Sequence, residues 1–342
     1  MSQITTLRTA TDGGPTGRGR RHAPLVLMAA ILLAFGALRL ATIDGPVRLD
    51  AALSDAVTFA AGIVIESLSF VLLGVGVSIV VQLWVPMRVI AAVLPRSKVA
   101  RRAVLSLLGV VFPVCECGNV PLARGLMNKG LSVSDAMTFL LAAPILNPIT
   151  IITTYQAFGW SDGILVARLA GGFVLANLVG WLFDRHPDPE ALLTRRFAQS
   201  CHHDDRPSSS RAIQAAQLFA HEMSAMLPAL FIGAAVAGLI QVAIPRELMD
   251  GVGGHLVWGV IALMVLAFMI AICSSVDAFF ALSLASSFSP GALAAFLIFG
   301  PMIDVKMVAM LRTTFKGRTI LIVAGVCALG TLVIGLGVNL LV

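Results

Sequence analysis

The stretch VFPVCECGNVPLARGLMNKG, residues 111–130, sets Cys115 and Cys117 one residue apart with Glu116 between them, inside an otherwise apolar run. Thiolates are soft ligands that select Cu(I), zinc or trivalent arsenic over hard ions. On an ideal helix a Cys-x-Cys pair diverges. In a broken or extended segment, whose side chains repeat every two residues, both sulfurs can face one way. Cys115 and Cys117 are therefore candidate metal ligands, and Glu116 is placed to take a thiol proton or to carry a coupling proton. The bland account is that small buried cysteines are apolar filler; an acid between the thiols and prolines on both sides, Pro113 and Pro121, argue against it.

A second group lies far along the chain. CSSVDAFF at 273–280 carries Cys273 and Asp277, and Asp304 and Lys306 follow in another apolar stretch. Ionisable groups at membrane depth are costly and usually face a functional interior, so Cys273, Asp277 and Asp304 join the candidate substrate-binding set of Cys115, Glu116 and Cys117. Asn147 completes it, because an amide can coordinate or donate without the cost of a charge. Asp304 and Lys306 could equally form a structural ion pair. Glu66 is a further candidate; His221 and Glu222 are expected in a solvated position at a helix end, and Arg168 is expected to snorkel. CHHDD at 201–205 offers ligand types for a metal, but adjacent residues cannot all reach one tetrahedral ion, and a solvated linker is the expectation.

The elements that must hold these residues are membrane helices. Of 342 residues, 58% are hydrophobic and 12% charged, a balance that no soluble domain of this size could hide. Apolar runs at 24–43, 52–85, 136–158, 162–183, 213–244, 290–311 and 319–341 each reach roughly the 20 residues needed to span a bilayer. Two others, 103–128 and 257–287, are interrupted by small, polar or thiol residues. The net charge of +6 reports loop sidedness in such a chain, not a nucleic-acid partner. Residues 1–23 read as a disordered basic tail and not a signal peptide. With five cysteines, an odd number mostly within apolar runs, structural disulfides are not expected. No phosphate-binding loop or cofactor motif is present.

The chain is internally repeated. VVQLWVP at 80–86 aligns with LIQVAIP at 239–245, pairing Gln82 with Gln241 and Pro86 with Pro245 at an offset of 159. LSVSDAMTFLLAAPILNP at 131–148 aligns with FSPGALAAFLIFGPMIDV at 288–305, pairing Phe139 with Phe296, Pro144 with Pro301 and Asn147 with Asp304 at 157. The expected organisation is the tail, an extra helix and loop at 24–51, a first repeat at 52–184, a cytoplasmic linker at 185–212 and a second repeat at 213–342. If 103–128 entered and returned as a hairpin, the basic loops 86–102, 124–130, 185–211 and 312–318 would all lie inside, as the positive-inside rule asks. That count, three crossings and one hairpin per repeat, makes the halves opposite in orientation, the plan of many secondary transporters; nine full spans in parallel halves is the alternative. The N-terminus would then be cytoplasmic and the C-terminus external. Pro113, Gly118 and Pro121 are expected to bracket the first break and Pro144 and Pro148 the second, with Pro301 in the mirror position. Broken backbone at membrane depth is tolerated only where it is buried in protein or lines a wet cavity.

At CECGNVPLARGLMNKGLSVSDAMTFLLAAPILNPIT the chain resembles the predicted permease family that includes bacterial organoarsenical efflux permeases. The shared features are Cys115, Cys117, Gly118 and Pro121, then Lys129 and Gly130, then Ala142, Pro144, Asn147 and Pro148, and the likeness covers most of residues 50–342. The resemblance implies an all-α, multi-pass carrier of the bacterial inner membrane without ATPase domains. Some members export trivalent organoarsenicals through cysteine thiols, and others look like one subunit of a two-component permease. Where the family often has serine between the thiols this chain has Glu116, which suits a cation better than a neutral organoarsenical. A membrane thiol oxidoreductase is the competing class, although Cys-x-x-Cys is the usual redox spacing; a non-transporting scaffold subunit is another.

Overall fold

The computed structural model describes residues 51–111, 115–200, 210–243 and 255–341. The tail and extra helix expected before residue 51, Pro113 and the Cys201–Asp205 cluster fall outside these. In chain order the helices are α1 (Ala51–Trp84), α2 (Met87–Val93), α3 (Lys98–Val111), α4 (Glu116–Asn128), α5 (Val133–Ala142), α6 (Pro148–Phe158) and α7 (Ile164–Asp184). After a connecting α8 (Arg195–Ser200) come α9 (Arg211–Ala243), α10 (Leu256–Ile270), α11 (Asp277–Ser283), α12 (Pro290–Met302), α13 (Val305–Leu311) and α14 (Gly317–Leu341). Among the described residues the only strand-like pairing is a single bridge, Leu193 with Phe315.

Among the described residues five segments are long and apolar enough to cross a membrane: α1, α7, α9, α14 and the stretch formed by α12 with α13. Their outer faces carry Ile65, Leu321, Leu329 and Val333, each 68–74% exposed. Water does not tolerate such a surface, whereas hydrocarbon does. The deepest elements are α5 and α12: every residue of α5 is buried, as are nearly all of α12.

Contacts along the helices fix their directions. Arg101 near the start of α3 forms an ion pair with Asp135 in the first turn of α5 at 2.7 Å, and Gly109 near the end of α3 packs on Ala143 just past α5, so these two helices run parallel. Helix α4 ends at Asn128 and turns within four residues into α5. The segment 98–128 therefore enters the bundle and returns to the end where it began, and α3 and α4, at 14 and 13 residues, are each roughly 20 Å long. In the second series, Val260 near the start of α10 and Gly291 at the start of α12 both lie against Gly335 of α14. Residues 256–289 thus also leave and regain one end. The two ends are opposite ones, because α14 joins them: Thr319 at its start bonds Leu192 O, and Asn339 near its finish accepts from Gly291 N.

Helices α1 and α9 run antiparallel at the centre, with Gly238 against Ala56 and Ala60. Helix α4 lies along α1 so closely that a Cβ on Gly74 would collide with the backbone of Gly118, and Ser78 Oγ bonds Pro121 O at 2.8 Å. Glycine at both positions lets the first hairpin seat against α1.

The breaks differ in part from expectation. Residues 143–147 form an irregular turn holding Pro144, Asn147 caps α6 and Pro148 opens it as its first residue. Gly118 and Pro121 do not bracket a break: both lie inside α4, whose first helical residue is Glu116. A proline there only withholds an N–H from the carbonyl four residues back, Cys117 O, without stopping the helix. Pro301 likewise sits in the last turn of α12, and the extended residues are Ile303 and Asp304 behind it.

A candidate substrate site where two hairpin tips meet

Each hairpin turns at a cysteine. In the first, Cys115 is the extended N-cap of α4, and its carbonyl accepts from Gly118 N and Asn119 N at 3.0 and 3.1 Å. In the second, the Cys273 carbonyl accepts from Val276 N and Asp277 N at the same 3.0 and 3.1 Å. The tips come from opposite ends of the bundle and touch, with Cys115 Sγ 3.0 Å from Cys273 Sγ. Glu116 Oε2 accepts from Ser274 Oγ at 3.2 Å, and Ser275 Oγ donates to Cys273 Sγ at 3.2 Å. A carboxylate oxygen of Glu116 and the sulfurs of Cys115 and Cys273 lie within 4.8 Å of one another. All three side chains are buried, and among the described residues they form the one cluster of donors spaced to hold a metal ion.

The thiol pair is therefore not the expected one. Cys115 faces Cys273, while Cys117, already in the first turn of α4, points to Ser67 and the field of Lys306. Two residues of helix rotate a side chain by about 200°, so once α4 starts at Glu116 the two sulfurs of Cys-x-Cys part.

Lys306, in the first turn of α13 and 1% exposed, reaches back to the same place. Its Nζ lies 3.1 Å from Glu116 Oε1, 3.4 Å from Ala271 O and 4.0 Å from Asp304 Oδ2. Ala271 holds a left-handed conformation, φ 53° and ψ 40°, which costs an alanine roughly 1–2 kcal/mol and turns its carbonyl toward the ammonium. Asp304 caps α13 through Met307 N, as Asn147 caps α6 through Ile149 N at 2.9 Å. The side-chain oxygen of Asn147 is thus engaged at a helix end.

Asp277 opens α11 and is also buried, but its carboxylate faces Arg168. Arg168 Nη1 and Nη2 donate to its two oxygens at 2.9 and 2.6 Å, and Nη1 also reaches Thr154 Oγ1 at 2.8 Å. Arg168 does not snorkel: it is fully buried, held because a planar guanidinium matches a carboxylate with two parallel bonds. Glu222 is not solvated either. It accepts from Arg124 Nε at 2.8 Å, and the same guanidinium bonds Thr314 and lies 4.4 Å over the ring of Phe197. With Leu192, Leu193 and Phe197 buried, the connection between the two series packs across one end of the bundle. Sequence alone held a weak signal for both pairs: an arginine and a glutamate in apolar helices need partners, and neither has one nearby in the chain.

From the opposite end a cavity of about 760 Å³ reaches Ala271 and Ile272, next to Cys273. Its walls are mostly apolar, with Phe59, Met269 and Phe280, and its polar groups include the exposed Glu66 and the half-buried Gln241. The cavity stops at Ala271 and Ile272, one residue short of Cys273, and the thiols, carboxylate and ammonium lie buried beyond it.

Residues 52–340 match the family described as a predicted permease, designated ArsP_1. The chain belongs to this permease family. A protein of Streptococcus mutans named as a two-component membrane permease complex subunit is 31% identical over 274 residues, covering 78% of this chain and 89% of that one. The UPF0718 protein YcgR of Bacillus subtilis is 34% identical over 263 residues, 75% of this chain and 87% of YcgR. The UPF0718 protein YraQ of Escherichia coli is 26% identical over 113 residues, about a third of either chain. No solved structure is matched. The permease family and the apolar helices make the chain a multi-pass membrane protein, and its family speaks for transport over catalysis.

Proposed function

We propose that this permease is a secondary carrier of a small thiol-reactive solute, a soft metal or metalloid species, held between Cys115, Glu116 and Cys273. The observation that carries the reading is the meeting of the two tips: a sulfur from each hairpin and a carboxylate within 4.8 Å, fully buried. Zinc and similar ions take thiolate, imidazole and carboxylate donors in small numbers and leave a position open where they must exchange. The opposed directions of the two helix series support an inverted duplication, in which rocking of one half against the other exposes the site alternately. The basic residues at one end, among them Lys98, Arg101, Lys129 and Arg185, support placing that end in the cytoplasm of a bacterial inner membrane. The N-terminus is then cytoplasmic and the C-terminus external. The cavity lies on the external side, and the seal of Arg124, Glu222 and Phe197 on the inner one.

A second reading, one membrane subunit of a two-component permease, is favoured by the name of the Streptococcus mutans relative. Elemental mass spectrometry of cells separates the possibilities. Wild type, Cys115→Ser, Cys273→Ser and the double variant are challenged with zinc, copper and trivalent methylarsenic in turn. A thiol-dependent change in one element identifies the cargo class, and its sign gives import or export. Equal contents for all four proteins, with equal membrane expression, refute the thiol site. A change that appears only when a second membrane protein is co-expressed supports the two-component form.

A further inference from the structure

We infer that Lys306 is a tethered stand-in for a cationic cargo: it neutralises Glu116 in the empty permease and shifts to Asp304 when a soft metal cation occupies Cys115, Glu116 and Cys273. The inference rests on the thiol site proposed above and adds the charge of the cargo and the residue that discriminates it.

Four observations lead there. Lys306 Nζ already holds Glu116 Oε1 at 3.1 Å, so a metal cation taking that carboxylate meets a second positive charge on the same group. In a buried site such repulsion is weakly screened, and one cation must leave. A berth exists: Asp304 Oδ2 is 4.0 Å from the ammonium, buried, and accepts no hydrogen bond from the described residues. Reaching it takes a rotation of a flexible four-carbon stem, which lysine has and a rigid donor lacks. The other oxygen of Asp304 stays on Met307 N and keeps the cap of α13 in place.

Glu116, Asp277 and Asp304 stand with Lys306 and Arg168 in the buried core. A divalent cation bound by both sulfurs as thiolates releases two thiol protons, so the net charge of the centre is unchanged and only the partner of Lys306 has to change. The device is also one-sided. At the repeat offset of 157, Lys306 corresponds to Ile149 and Asp304 to Asn147, so the exchange partner sits in the second half alone and the two halves are not equivalent in the cycle.

The test uses the full chain in lipid nanodiscs, with Cd²⁺ as the probe and the sulfur-to-cadmium ultraviolet band as the readout. Lys306→Gln removes the competitor and is expected to bind Cd²⁺ about tenfold or more tightly than wild type, with the band intact. Asp304→Asn keeps the helix cap, as Asn147 does in the other half, but removes the berth; its binding is expected to weaken by about tenfold. Lys306→Arg is expected to follow wild type, and the double Lys306→Gln/Asp304→Asn variant to follow Lys306→Gln, because Asp304 acts through Lys306. General damage to the site would weaken both single variants alike, so opposite signs are the signature. Unchanged or weaker binding in Lys306→Gln, or unchanged binding in Asp304→Asn, with the band present overturns the stand-in role and leaves the thiol site standing. Absence of the band from every protein while the fold is intact overturns the thiol site and the inference together.

Discussion

Replacing Arg168 by methionine strands the Asp277 carboxylate in the core, and the cost can be worked from the contact itself. Two parallel bonds at 2.9 and 2.6 Å join the pair, with side-chain exposures of 0% and 4%, so solvent screening needs no discount. With charge centres about 4 Å apart and an effective dielectric of about 20, the attraction is about 4 kcal/mol, in line with the roughly 3–5 kcal/mol lost when one member of a buried pair is removed. Arg168→Met and Asp277→Asn are each expected to destabilise by that amount. Arg168→Met/Asp277→Leu, which buries no charge, is expected to recover all but about 1 kcal/mol. At about 2–4 °C per kcal/mol for chains of this order of size, each single change lowers the midpoint by on the order of 10 °C. The assay is thermal unfolding in detergent with a thiol-reactive dye, since Cys115, Cys117, Cys273 and Cys327 are all buried and free and label as the core opens. Additive losses in the double variant would refute a coupled latch between α7 and α11. Asp277→Asn with normal stability and no transport would make Asp277 a substrate ligand after all.

Other expectations follow from single contacts. A mild thiol oxidant should join Cys115 to Cys273 and not Cys115 to Cys117, as read by peptide mass mapping, because only the first pair stands at 3.0 Å; recovery of the second pair would mean the tips are apart. Gly74→Ala should cost roughly 1–3 kcal/mol of stability or abolish membrane accumulation, since its Cβ has only the Gly118 backbone to enter; wild-type behaviour would show that α4 can slide. Ala271→Gly should raise the unfolding midpoint by relieving about 1 kcal/mol of left-handed strain, and a lower midpoint would place the alanine methyl, buried in the core, as the larger contribution. Arg124→Leu should destabilise by about 3 kcal/mol and Arg124→Leu/Glu222→Leu by much less, measured in the same melts; equal losses would mean that the cation–π contact with Phe197 carries the seal.

Much was legible in the residue order because the signals are local. An apolar fraction of 58% requires a lipid environment whatever the packing. Proline and asparagine at 144–148 imposed a turn and a cap through rules that act within four residues, and residue types recur at offsets of 157–159. The Cys-x-Cys motif falls at the tip of the first hairpin, where Cys115 faces Cys273 and not Cys117. Whether two sulfurs part depends on where α4 begins, and it begins at Glu116, a one-residue matter that the motif does not announce.

The rest belongs to tertiary structure. Cys115 and Cys273 are 158 residues apart, Glu116 and Lys306 are 190 apart, and Arg168 and Asp277 are 109 apart; no local propensity reaches across such separations. A charge in an apolar helix announces only that it needs a counter-ion. Which group answers depends on which helix faces travel to the same depth from opposite ends of the bundle, and packing decides that. So Arg168 and Glu222 read as peripheral in the chain and are buried latches in the fold, while the thiols, acid and ammonium at the centre come together only where the two tips touch.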